Sequence, residues 1–146
     1  MTHPRHLGGL ATQQGHTQGL AGGRRARDHL GDRFRIEVAA YPETHPQAED
    51  ALADLRHFKA KVDAGADAAI TQYFYNADAY FRFVDDARRL GVEVPIVPGI
   101  MPVSNFNGLR RMCGSCGASV PDWLAGHFDG LDDDPETRKL LAASVA

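Results

Sequence analysis

Phe-Arg-Ile-Glu-Val-Ala-Ala-Tyr-Pro-Glu-Thr-His-Pro (34–46) opens the stretch that decides the fold. An amphipathic run closed by Asp-Ala-Gly-Ala (63–66) follows, and Ala-Ala-Ile-Thr-Gln-Tyr-Phe-Tyr (68–75) completes it. The order is strand, polar loop, helix, strand. The crossover is long enough for the two strands to pair in parallel. Phe34–Ala40 reads as a strand buried on both faces, stopped by Pro42 and Pro46. Gln47–Ala64 reads as a helix whose core face is Ala48, Ala51, Leu52, Leu55, Phe58 and Val62, ended by Gly65. In strand Ala68–Tyr75, Ala68, Ile70, Gln72 and Phe74 share one face, and Ala69, Thr71, Tyr73 and Tyr75 the other. Tyr41, Glu43 and His45 follow the C-terminal end of the first strand, and Gln72 lies near that of the second. Ligands bind at that edge in parallel α/β folds.

The unit is repeated downstream. Asn76 caps a helix running through Tyr80, Phe81, Val84, Ala87 and Leu90 to Gly91. Val94–Pro102 reads as a third short strand with a kink or exit at Pro98-Gly99. Ser104 is expected to cap a helix through Leu109 and Met112, and Val120–Phe128 reads as another helix. Asp134 and Pro135 read as N-cap and first residue of a last one. Repeated β/α units imply a parallel sheet. Three strands cannot close a barrel and leave two open parallel edges, so the chain either oligomerises or belongs to something larger. Residues 1–33 are rich in glycine, Arg-rich and without an apolar period. They read as a disordered or unrelated leader, with the folded domain at 34–146.

Composition bounds the function. At 146 residues, with 43% hydrophobic and 24% charged residues, the chain suits one soluble globular domain, and no apolar run is long enough to span a membrane. The net charge is −3, yet five Arg face two Asp before Phe34, so the remainder is more acidic than the whole. That disfavours nucleic acid as a partner. Two cysteines are no disulfide framework, and a reducing cytoplasm is the default. Cys113-Gly114-Ser115-Cys116 admits a redox reading and a half-zinc-site reading. It lacks the two further ligands zinc needs and does not open a helix after a strand. His3, His6, His16 and His29 match no tight metal site.

Two polar features stand out. Asp50, Asp54, His57 and Lys61 fall at i, i+4, i+7 and i+11, so one helix face carries carboxylates, an imidazole and an ammonium in a row. On pattern alone this is a solvated face with weak ion pairs. Gln72 is an amide in an apolar strand, serving either a structural hydrogen bond or a ligand contact.

Five blocks in order carry a family resemblance. They are Val-Ala-Ala-Tyr-Pro-Glu-Thr-His-Pro (38–46), Lys-Val-Asp-Ala-Gly-Ala-Asp (61–67), Ala-Ile-Thr-Gln-Tyr-Phe (69–74), Pro-Gly-Ile-Met-Pro-Val-Ser-Asn-Phe (98–106) and Phe-Asp-Gly-Leu-Asp-Asp-Asp-Pro-Glu-Thr-Arg (128–138). Residues 34–146 resemble bacterial methylenetetrahydrofolate reductase. The resemblance implies part of a (β/α)8 barrel, about strands five to seven, that binds FAD at its C-terminal face. It implies reduction of 5,10-methylenetetrahydrofolate to 5-methyltetrahydrofolate, with NADH or NADPH as hydride donor. By the same resemblance Tyr41, His45, Ala48, Asp54 and Lys61 are flavin contacts and Gln72 contacts folate and nicotinamide. The polar stripe thereby passes from solvent face to cofactor face. His57 and Ala60 occupy contact positions with different residue types. Gly108 and Met112 stand where a relative has glutamine and phenylalanine, so neither is carried over. The family's catalytic glutamate, in a Phe-Glu-Phe-Phe-Pro-like motif, has no counterpart in this sequence, nor has its Arg-Gly-Asp loop. The alternative expectation is therefore an inactive truncated remnant or half-barrel.

Overall fold

The computed structural model describes residues 5–6, 25, 27–29, 31–131 and 133–145, apart from the side chains of Arg5, His6 and Asp32. Most of the expected leader lies outside the described residues. β1 (Arg5–His6) pairs in parallel with β2 (Phe34–Arg35). The main sheet follows: β3 (Glu37–Ala40), β4 (Ala68–Tyr73) and β5 (Ile96–Gly99), in that spatial order and all parallel. The helices are α1 (Ala51–Asp63), α2 (Ala77–Arg89), α3 (Phe106–Cys116), α4 (Asp122–Phe128) and α5 (Pro135–Val145). This is an α/β fold of the kind that makes up part of a (β/α)8 barrel.

The first expected strand is interrupted at Ile36. Its carbonyl accepts Asp67 N–H at 2.8 Å, while its own N–H donates to Asp67 Oδ2 at 2.7 Å. A side chain before β4 has replaced one rung of the ladder. α1 begins at Ala51 rather than Gln47, because Asp50 Oδ1 accepts Ala53 N–H at 2.7 Å and so caps the helix there. Residues 45–48 instead form a turn, closed by Ala48 N–H on His45 O at 2.9 Å. Asn105, not Ser104, caps α3, accepting Gly108 N–H at 2.9 Å. That helix runs on through Cys116, so the two cysteines lie in its last turns. α4 starts at Asp122 rather than Val120 because Pro121 holds the extended backbone at its entry.

The two faces of the main sheet differ. Val38, Ala69 and Ile96 are paired across it and face the helices, where they join Ala40, Phe58, Phe83, Ala87 and Val92 in one core. The Phe58 and Phe83 rings of α1 and α2 meet at 5.3 Å between centroids. Burying each ring stabilises by about 1.5–3 kcal/mol. Leu52, expected in this core, is half exposed, and Ala51 is exposed beside it. The apolar stripe of α1 that reaches the sheet is Leu55, Phe58 and Val62. On the opposite sheet face Ala39, Ile70 and Val97 stand in register, and Ile70 and Val97 are 43% and 47% exposed. A parallel sheet is ordinarily covered on both faces, so this face is open apolar surface. A second core gathers Tyr73, Val103, Leu109, Cys113, Cys116, Leu124, Phe128 and Ala142 beneath α3, α4 and α5. Among the described residues no helix is long and apolar enough to cross a membrane.

Candidate functional site at the C-terminal edge

The chain leaves β3 at Ala40 and must turn before α1. Pro42 and Pro46 bracket that turn, and the loop between them is held from α1. Asp54, which is buried, accepts His45 N–H on Oδ2 at 2.8 Å. Tyr41 and His45 consequently meet edge to face, ring centroids 4.3 Å apart. His45 Nδ1 accepts Gln47 N–H at 3.1 Å, which requires a neutral imidazole carrying its proton on Nε2. Two turns further along α1, Lys61 Nζ donates to Ala39 O at 2.6 Å. That is its one hydrogen bond among the described residues, and an ammonium has three donors.

The stripe read as a solvated face therefore bends inward. Asp50 is consumed as the cap, Asp54 is buried under the loop, and Lys61 reaches the strand. Burial lowers the Lys61 pKa, opposed by the Asp54 carboxylate. Burial also lowers that of His45, with Asp54 pulling it up and Lys61 pushing it down. Burial, then the Asp54 charge, raises that of Tyr41. Carboxylate, imidazole, phenol and ammonium thus act on one another at one corner. Ala48 lies in the turn directly after His45.

Gln72 sits at the end of β4, half-buried. Its Oε1 accepts the N–H of the next residue, Tyr73, at 3.1 Å. Among the described residues its amide N–H2 has no hydrogen-bond partner. Gln72 and Tyr41 border the same shallow hollow. Tyr41 and Asp54 also border a wider groove between α1 and α2. Five residues of the sequence set, Tyr41, His45, Ala48, Asp54 and Gln72, are therefore on or beside the loop after β3. Lys61 approaches from the β3 side. Glu43, which the sequence places beside Tyr41 and His45 after the first strand, and Cys116 of the CxxC border the hollow too, as does Gly117, which the sequence reading gave no role. The glycine could have been read as a helix-ending residue.

The cysteine pair lies below this hollow. Both thiols are buried, and the Tyr73 hydroxyl lies 3.0 Å from Cys116 Sγ and accepts from Cys113 Sγ at 3.8 Å. Burial pushes the Cys113 thiol up in pKa and also raises the Tyr73 phenol; burial beside the same thiols takes Tyr75 up to about 12. The pair stands at a helix C-terminus, the negative end of the helix dipole. A reactive thiolate needs the reverse on both counts. Among the described residues no group of three His, Cys, Asp or Glu side chains is placed to hold a metal ion.

A parallel β/α unit with its polar side chains gathered at the strand C-termini is the arrangement of a barrel-type ligand-binding protein. The chain belongs to the methylenetetrahydrofolate reductase family, whose model matches residues 24–146. It is 53% identical over 117 residues to the 5,10-methylenetetrahydrofolate reductase of Pectobacterium carotovorum subsp. carotovorum, covering 80% of this chain and 39% of that protein. It is 52% identical over 113 residues to the enzyme of the same name from Escherichia coli K12, covering 77% of this chain and 38% of that one. The chain thus spans about two fifths of the length of the curated relatives it matches. Among solved structures, an uncharacterized protein from Clostridium thermocellum that binds two copies of 5-methyl-5,6,7,8-tetrahydrofolic acid superposes with a TM-score of 0.58. At 21% identity, over 84% of this chain and 43% of that one, the likeness is one of fold. The family match begins ten residues before Phe34. It takes in Arg27, whose guanidinium donates to Gly65 O at 2.6 Å and Asp67 Oδ2 at 2.7 Å.

Proposed function

We propose that this chain carries the flavin- and folate-binding edge of a cytoplasmic oxidoreductase. The reaction is reduction of 5,10-methylenetetrahydrofolate to 5-methyltetrahydrofolate by NADH or NADPH through FAD. The carrying observation is the corner where Tyr41, His45, Asp54 and Lys61 meet beside Gln72, whose amide N–H2 has no partner among the described residues. The donor set fits an anionic dinucleotide. Lys61 has donor capacity beyond Ala39 O and a charge complementary to a pyrophosphate. Asp54 holds the loop through His45 N–H, and its carboxylate is the acceptor type that ribose hydroxyls require. Tyr41 and His45 present ring surface, and Ala48 leaves room beside them. Gln72 offers amide donors to the polar edge of a folate. When bound, the flavin supplies the hydride relay between nicotinamide and folate; these side chains bind, orient and exclude water.

A second reading is favoured by the open sheet face and by the want of the family's glutamate motif in the sequence. In it the chain is a half-barrel without activity of its own, completed by strands from outside these residues or by a second copy. Titrating FAD into the 146-residue chain separates the two readings. Saturable binding, weakened about tenfold by Lys61→Ala through loss of one charge-assisted contact, supports the first. Unchanged affinity in that variant removes Lys61 from the site. A wild-type chain that takes up no flavin leaves the second reading standing.

A further inference from the structure

We propose that Glu43, clasped to the turn after α3, is a positioning residue that sets the loop carrying Tyr41 and His45, so that residues 117–119 form one wall of the flavin site. The proposal rests on the flavin reading of that loop. Glu43 and Ser119 are 76 residues apart, yet both carboxylate oxygens are engaged. Oε2 accepts Ser119 N–H, and Oε1 accepts Ser119 Oγ–H at 2.5 Å.

The backbone beside the clasp is built for close approach. Gly117 ends α3 with φ of 79°, in the left-handed region. A Cβ there would come within 2.7 Å of Thr44 O and 3.1 Å of the Pro46 ring. Only glycine meets both demands without displacing the loop. On the other side the loop hangs from Asp54 through His45 N–H at 2.8 Å. Tyr41 and His45 are thus fixed between two carboxylates, one on α1 and one clasped to the exit of α3, and Tyr41 and Glu43 border one hollow with Gln72 and Gly117.

A carboxylate at the rim of a site for an anionic cofactor needs a reason. Two donors from Ser119 absorb its charge locally, and the bidentate geometry fixes its direction. Releasing it would loosen the loop and turn a bare negative charge toward the phosphate region. Retaining an amide in its place would keep the direction without the charge.

The test uses the full chain with Glu43→Ala, Glu43→Gln, Ser119→Ala and the Glu43→Ala/Ser119→Ala pair. The first readout is the NMR signal of the His45 ring, which needs no flavin. The clasp predicts that Glu43→Ala, which loses both bonds, shifts it, that Ser119→Ala, which keeps the backbone N–H bond, shifts it less, and that the pair shifts it no further than Glu43→Ala alone. The second readout is FAD affinity. Glu43→Ala should weaken it about tenfold, at an unchanged urea midpoint, and Glu43→Gln should restore most of it. An unmoved His45 signal, additive shifts in the pair, or FAD loss that only tracks lost stability overturns the proposal. Should Glu43→Ala fail to fold, Ser119→Ala, which alters an exposed hydroxyl, decides. A wild-type chain that binds no FAD defeats the flavin reading, and the His45 signal then judges the clasp alone.

Discussion

The two ends of the same three strands treat polar groups differently. At the N-terminal end the chain bonds to itself. Arg27 donates to Gly65 O and Asp67, and the same Asp67 oxygen accepts Ile36 N–H. Charge, donors and acceptors face one another within one cluster. At the C-terminal end two of the groups, Lys61 and Gln72, keep donor capacity. Lys61 makes one hydrogen bond among the described residues, Gln72 presents its amide N–H2, and Tyr41 borders open space. On the function proposed above, the first end holds the sheet and the second holds a ligand. Substitutions at the two ends should therefore fail in different ways.

The largest effect is expected at the C-terminal end, where backbone approaches backbone. Gly99 of β5 donates its N–H to the Thr71 hydroxyl at 2.9 Å, and a Cβ at Gly99 would press on the Thr71 carbonyl closer than real Cβ contacts come. The carbonyl is main chain and the Cβ position is fixed by main chain, so neither can swing aside. Gly99→Ala should part β5 from β4 and cost about 2–3 kcal/mol, the scale of an overpacked core. Urea denaturation of the full chain measures it. A midpoint unchanged from wild type would mean that the strand ends are free to spread.

Much of this architecture is legible in the residues. The alternation of β4, the 3.6-residue period of α1 and α2, and the glycines after them place the strands and helices within a few positions. The misses have local causes. Ser104 and Asn105 are adjacent capping types, and only the geometry of Gly108 N–H selects the second. Asp50 could belong to the stripe or to the cap, and capping won because it satisfies a backbone donor. The site was half legible. Tyr41 and His45 announce themselves by following a strand, and Gln72 by lying near the end of one. The burial of Asp54 does not, since the loop that covers it returns from another element. The pairing of Glu43 with Ser119 leaves no trace in spacing at all. The open face of Ile70 and Val97 likewise could not be told from a buried one by its apolar pattern.

A smaller effect, and of the other kind, is expected at the N-terminal end. Arg27→Ala removes a charge-assisted contact to Asp67 and the bond to Gly65 O. Asp67 is 41% exposed, so solvent screens the pair and the loss should be about 1 kcal/mol. The urea midpoint should fall while FAD affinity, corrected for folded fraction, stays at the wild-type value. A loss of affinity in the folded protein would show that the two ends are coupled and would undo the contrast between them.

The smallest effect probes the corner itself. Burial lowers the His45 pKa from 6.5, so the unfolded chain holds that proton more readily than the folded one. Stability from this group is therefore full above pH 6.5 and is lost as pH falls through the lowered value. Its Nδ1 bond from Gln47 N–H breaks on protonation. Because the ring is partly exposed, the stability change is small, and the titration is better followed on the His45 C2–H resonance. Asp54 favours the imidazolium and Lys61 opposes it. Asp54→Asn should thus move the His45 pKa further down, and Lys61→Ala should move it up. Opposite displacements would establish that the three charges face one another across the loop, as a cofactor corner demands and a solvated helix face would not. Two variants with the wild-type titration would return the stripe to solvent and remove the electrostatic ground for placing an anionic ligand there.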